Sequence, residues 1–138
     1  MKLKLLQSDE RSVYIAGKMR GLPDHNFPAF DRAKERAYQA GFKTVHSPAD
    51  MDREDDHKIM ELLDEYERQT VYAIRDLDAV TRSTSIAMIP GWETSVGARA
   101  EYFLAVWLGK EILDAETFRP LGEVEVIIKV KDRELQNA

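Results

Sequence analysis

Short, densely apolar runs alternate along this chain with longer stretches whose apolar residues recur every three or four positions, the pattern of strands and helices taken in turn. Ser12–Ala16 (SVYIA), dense in β-formers and stopped by Gly17, predicts a buried parallel strand. The segment GKMRGLPDHNFP that follows holds two glycines and two prolines, so a loop is expected whose glycines, Gly17 and Gly21, permit close backbone approach to a ligand. Phe30, Ala33, Ala37 and Ala40 then mark a helix beginning at Phe27 or Pro28, capped by Asp24 or Asn26 and stopped by Gly41.

A second short strand is expected over Phe42–Val45. Glu54–Val80 is the longest periodic segment, with Ile59, Leu62, Leu63, Tyr66, Thr70, Ala73, Ile74, Leu77 and Val80 on one stripe; it predicts one long helix, or two with a joint. Ser85–Ile89 is a third strand. Thr94 or Ser95 caps a helix running through Ala98, Phe103, Ala105 and Trp107 to Leu108. Glu111–Leu113 reads as a fourth strand and Val124–Val130 (VEVIIKV) as a fifth or an edge strand. Strands alternating with helices imply right-handed βαβ crossovers, hence an α/β domain of three layers with a doubly wound, mostly parallel five-stranded sheet. A single domain over residues 1–138 is expected, with 1–11 and 131–138 as candidates for loose ends.

Composition narrows the chemistry. The absence of cysteine excludes thiol catalysis, disulfides and cysteine-based metal centres. His25, His46 and His57 share no metal-ligand spacing, so no metal site is expected. A net charge of −5 argues against duplex nucleic acid or an anionic membrane as partner. No apolar run approaches a membrane span and the opening MKLKLLQSDERS does not read as a secretory signal, which makes the cytoplasm the expected compartment.

In doubly wound sheets ligands bind outside the carboxyl ends of the strands, which points to GKMRG and PGWETSVGARAE. Glu101 leans toward the start of its helix, over the turn containing Gly97 and Ala98, where almost no side chain stands in a ligand's way. Asp76, near the end of the long helical segment, is the second carboxylate. Two carboxylates of separated proton affinity are what cleavage of a glycosidic bond needs: one meets the anomeric carbon, the other protonates the departing group. Taken singly, each is more often a solvated surface acid. Tyr14 is a core ring whose hydroxyl needs a buried partner. Arg20 suits a phosphate or is a solvated loop arginine. Trp92 and Phe27 could stack on a base or cover the edge of the core.

The segments VYIAGKMRGLPDHNFPAFDRA, RDLDAV and SIAMIPGWETSVGARAEYFLAVWLGKEI resemble, from Val13 to Ile112, a family of bacteria and phages that belongs with the nucleoside 2-deoxyribosyltransferases. The opening is also similar to that of the 2′-deoxynucleoside 5′-monophosphate N-hydrolases. The resemblance implies a flavodoxin-like fold, a homodimer or larger homo-oligomer with shared sites, and no cofactor. It implies that Glu101 attacks C1′ of the sugar, that Tyr14 positions that glutamate and that Asp76 protonates the base. Ser95 and Arg20 would meet a 5′-phosphate, with Gly17, Lys18, Met19, Gly21, Asn26, Phe27, Trp92 and Gly97 completing the pocket. Thr84 and Lys18 depart from the residues usual in relatives, acidic and proline respectively, and the stretch from Phe118 onward has no counterpart. The expected function is cleavage or exchange of the N-glycosidic bond of a 2′-deoxynucleoside or its 5′-monophosphate; the alternative is a non-catalytic module that sequesters or senses a nucleotide-derived ligand.

Overall fold

The sheet is the frame on which everything else is hung. In the computed structural model, which describes residues 10–124, four parallel strands lie in the order β2-β1-β3-β4: β1 Ser12–Ala16, β2 Thr44–His46, β3 Ser85–Met88 and β4 Glu111–Asp114. Five helices connect them: α1 Phe27–Gln39, α2 Pro48–Glu54, α3 His57–Glu61, α4 Glu65–Arg82 and α5 Val96–Trp107. This is the expected three-layer, flavodoxin-like α/β arrangement. The expected fifth strand over Val124–Val130 lies, beyond Val124, outside the described residues. So do the expected loose ends except for their inner margin, where Arg11 is anchored to Glu111 at 3.0 Å and lies over the Phe42 ring.

Alternation along the strands sorts the core into two layers, because successive side chains of a strand point to opposite faces. Val13, Ile15, Ala87 and Leu113 meet Phe30, Ala33 and Ala37 of α1 on one face. Tyr14, Ala16, Ile86 and Met88 meet Ala79 and Val80 of α4 and Ala98 and Ala105 of α5 on the other. In register, Tyr14 lies opposite His46 on one side and Ile86 on the other. The chain winds away from β1 in both directions, so the carboxyl ends of β1 and β3 form the crevice at which such folds hold ligands.

Of the two forms expected for Glu54–Val80 the structure takes the second, two helices with a joint, α3 and α4, with Glu54 closing α2 before them. Periodicity runs through it, but aspartates break it. The Asp56 side chain accepts from the amides of Lys58 and Ile59 to start α3, and Asp64 forms a reciprocal capping box with Glu67 to start α4. An aspartate that satisfies free amides at a helix start outcompetes continuation of the preceding helix. The apolar stripe is correspondingly not buried: Leu62 is 84 % exposed and Ile59, Tyr66 and Ile74 are exposed with it, while only Ala79 and Val80 of α4 reach the core. Phe103 and Trp107 of α5 are exposed as well. The second strand starts two residues later than expected, at Thr44, because Phe42 turns into the α1 layer.

Candidate active site

α4 and α5 pack side by side over the face of the sheet that Tyr14 enters, and a cavity of about 160 Å³ opens between them. Its α4 wall is Gln69, Tyr72, Ala73, Asp76 and Leu77, and its α5 wall is Gly97, Ala100 and Glu101. Both sets have the three- and four-residue spacing of one helix face. The small residues Ala73, Gly97 and Ala100 leave the space; the two carboxylates edge it. Ser95 starts α5 by accepting from the Ala98 amide at 3.2 Å, which fixes the turn that carries Gly97.

Glu101 is buried, and the Tyr14 hydroxyl donates a hydrogen bond to its carboxyl. Burial pushes the Glu101 carboxyl up to about 8; the Tyr14 bond opposes the rise, the charge of Asp76 adds to it, and Arg75 draws it back. Tyr14 is raised well above the usual phenol range by its own burial and by the negative charges of Glu101 and Asp76. Asp76 is raised by burial too, against the pull of the adjacent Arg75 and with the help of Asp52 and Asp55. Because Asp76 and Glu101 disfavour each other's ionisation, their proton belongs to the pair. Burial favours it on Glu101.

Arg75 organises the outer edge. Its Nε donates to Asp76 Oδ1 at 2.8 Å, Nη2 to Asp52 Oδ1 at 2.7 Å and Nη1 to Asp55 Oδ2 at 3.2 Å, and its guanidinium lies 5.0 Å from the centre of the Tyr72 ring. Sequence reasoning missed Arg75, Asp52, Asp55, Gln69 and Tyr72. The last two carry a signal in retrospect, since 69, 72, 73 and 76 share a helix face; Asp52 and Asp55 come from the α2 end and carry none.

The structure thus brings Tyr14, Asp76, Glu101 and Gly97 together. It does not bring the first loop to that cavity. Gly17 serves packing, since a Cβ there would stand 2.9 Å from the Ile89 Cβ. Met19 and Phe27 pack against the α1 layer, and Arg53 lies over the Phe27 ring. Lys18 offers its carbonyl to the Asn26 side chain at 2.9 Å. Asn26 occupies the cap position of α1 without capping it, and Asp24 does not cap it either. Together with His25 these two form a left-handed turn, φ between 51° and 61°. Arg20, exposed just before Gly21, pairs loosely with Glu65 at 3.7 Å. Of the two roles open to Trp92, base platform or core cover, the structure gives the second: it is 1 % exposed and packs on Tyr102 at 4.6 Å between ring centres, because the turn after β3 drives the indole into the core.

Fold and site together define a doubly wound α/β domain with a tyrosine-held buried glutamate and a second carboxyl group on one interhelical cavity. The chain belongs to a family described as "Domain of unknown function (DUF4406)", whose model matches residues 11–114, from just before β1 to the last residue of β4. No curated protein and no solved structure matches the chain. Among the described residues no helix is long and apolar enough to cross a membrane.

Proposed function

We propose that the domain cleaves or exchanges the N-glycosidic bond of a 2′-deoxynucleoside or its 5′-monophosphate. The observation that carries this reading is the Glu101 carboxyl, buried in the cavity wall, held by the Tyr14 hydroxyl and sharing that cavity with Asp76. Ionised Glu101 attacks C1′ of the sugar. The bond from C1′ to the base nitrogen breaks, its electron pair leaves with the base, and Asp76 delivers the proton that neutralises it. Water then opens the glycosyl ester in hydrolysis, or a second base does so in transfer.

The reactive arrangement has the pair's single proton on Asp76, whereas burial favours it on Glu101. Tyr14 works in the required direction, since its donated hydrogen bond stabilises the Glu101 carboxylate. The family resemblance of the Tyr14, Asp76 and Glu101 segments supports the same roles. Incubation with each deoxynucleoside and its 5′-monophosphate, with chromatography for free base, tests the reading. Glu101→Ala is expected to lower base release by several orders of magnitude; equal release by that variant removes the nucleophile from the scheme.

One observation favours a second reading. With its proton retained to about pH 8, Glu101 is at neutral pH a neutral hydrogen-bonding group, as suits a module that binds a nucleotide-derived ligand without reacting. Calorimetry separates the two, since that module binds without turnover and keeps binding as Glu101→Ala.

The cavity is smaller than the ~300 Å³ at which ligand pockets usually begin, which suits a site completed by a further wall. We propose a second copy of the chain as that wall. Tyr66 and Ile74 on α4, with Phe103 and Trp107 on α5, leave apolar surface exposed of the kind a closed two-fold interface covers. Sedimentation velocity over a concentration series is expected to show a dimer that Trp107→Glu dissociates; a monomer throughout rejects the shared site.

A further inference from the structure

The least explained feature of the cavity is its rim, where one guanidinium serves three carboxylates. A lone arginine beside Asp76 would form a simple ion pair and hold the carboxyl ionised. Here the same arginine is also gripped from α2 by Asp52 at 2.7 Å and from the residue after α2 by Asp55 at 3.2 Å. Both contacts are mostly screened from solvent: the side chains of Arg75, Asp55 and Asp76 are about one-fifth exposed and that of Asp52 is 29 % exposed. Three acids on one base leave an excess of negative charge around Asp76, and the two outer acids compete for the cation that would otherwise belong to it.

We propose that Arg75, Asp52 and Asp55 form a positioning unit for the proton donor: the two aspartates clamp Arg75, and Arg75 in turn fixes the Asp76 carboxyl at the cavity while leaving its proton transferable. The proposal rests on the glycosidic reading for the word donor, and on geometry alone for the clamp. It makes the short helix α2, which contributes nothing to the cavity wall, part of the proton-delivering apparatus.

The charged and titratable groups around Asp76 act in opposed directions. Arg75 on its own helix lowers its proton affinity; Asp52 and Asp55 raise it. Glu101 of α5 and Tyr14 of β1 lie close enough to feel the Asp76 charge, and His25 of the first loop acts on Asp52. Removing an outer acid therefore lowers the Asp76 midpoint, because Arg75 is freed to bind Asp76 more closely. Removing Arg75 raises it. A role confined to holding the fold together would not produce opposite signs.

The full chain, labelled with ¹³C at aspartate carboxyls, is titrated by NMR, with the Asp76 signal assigned from its loss in Asp76→Asn. Asp52→Asn is expected to move the Asp76 midpoint to lower pH by about one unit, and Arg75→Gln to move it higher by a similar amount. An unmoved midpoint, or movement in the same direction in both, overturns the proposal. Should Arg75→Gln fail to fold by circular dichroism, the downward movement in Asp52→Asn carries the test. The outcomes distinguish the two readings. Midpoints that move as expected in a protein that releases no base leave the clamp standing and remove the glycosidic function; base release with an immobile Asp76 midpoint does the reverse.

Discussion

The two faces of this sheet share four strands and differ in what they bury. Against α1, Val13, Ile15, Ala87 and Leu113 close on Phe30, Ala33 and Ala37, and polar groups stay at the rim as ion pairs such as Lys34 with Asp50 and Arg53 with Asp31. Against α4 and α5, the same strand β1 sends in Tyr14 one residue from Val13, and its hydroxyl meets the buried Glu101. One layer is built for stability. The other gives stability up, because a carboxyl shielded from water resists ionisation and is retained there at a cost.

Breaking the first face is expected to have the larger effect on folding. Phe30 is fully buried in the α1 layer, so Phe30→Ala should cost about 4 kcal/mol in urea denaturation. The loss should be nearly independent of pH between 5 and 8. A cost below about 1 kcal/mol would mean that the α1 layer is not the close-packed half described here.

Relaxing the second face is expected to run the other way and to depend on pH. Glu101 has a proton affinity raised by folding, so its contribution to stability is complete below about pH 4.5 and is lost progressively as pH rises toward about 8. Glu101→Gln keeps an acceptor for Tyr14 and removes the titration. At pH 8 the variant should be more stable than the parent by about 4 kcal/mol, and near pH 4.5 the gain should vanish. A variant no more stable than the parent at pH 8 would show that the carboxylate is accommodated without strain and would erase the contrast between the faces.

Much of the frame was legible along the chain. β1, β3 and β4 are apolar runs closed by glycine, proline or polar residues, α1 carries a recognisable stop at Gly41 and α5 a recognisable start at Ser95, because strand period and capping chemistry are local. Tyr14, Asp76 and Glu101 were legible as residue types and through family resemblance. Trp92 was left open, since an indole at a strand end reads equally as platform or as core, and only packing chose the core. The stripe from Ile59 to Ile74 was misread, because periodicity records which residues share a side of a helix and not whether anything covers that side.

What the amino-acid order determined by itself is the alternation of elements, the Ser95 cap of α5, and the parallel sheet that such alternation requires. What only the folded chain decided is which distant side chains share a cavity: Arg75 reaching back to Asp52 and Asp55, Tyr14 rising to Glu101, the first loop staying apart. The physical reason is that propensity and period are summed over neighbours in the chain, whereas burial, proton affinity and hydrogen-bond partners depend on atoms that only packing brings within a few ångströms.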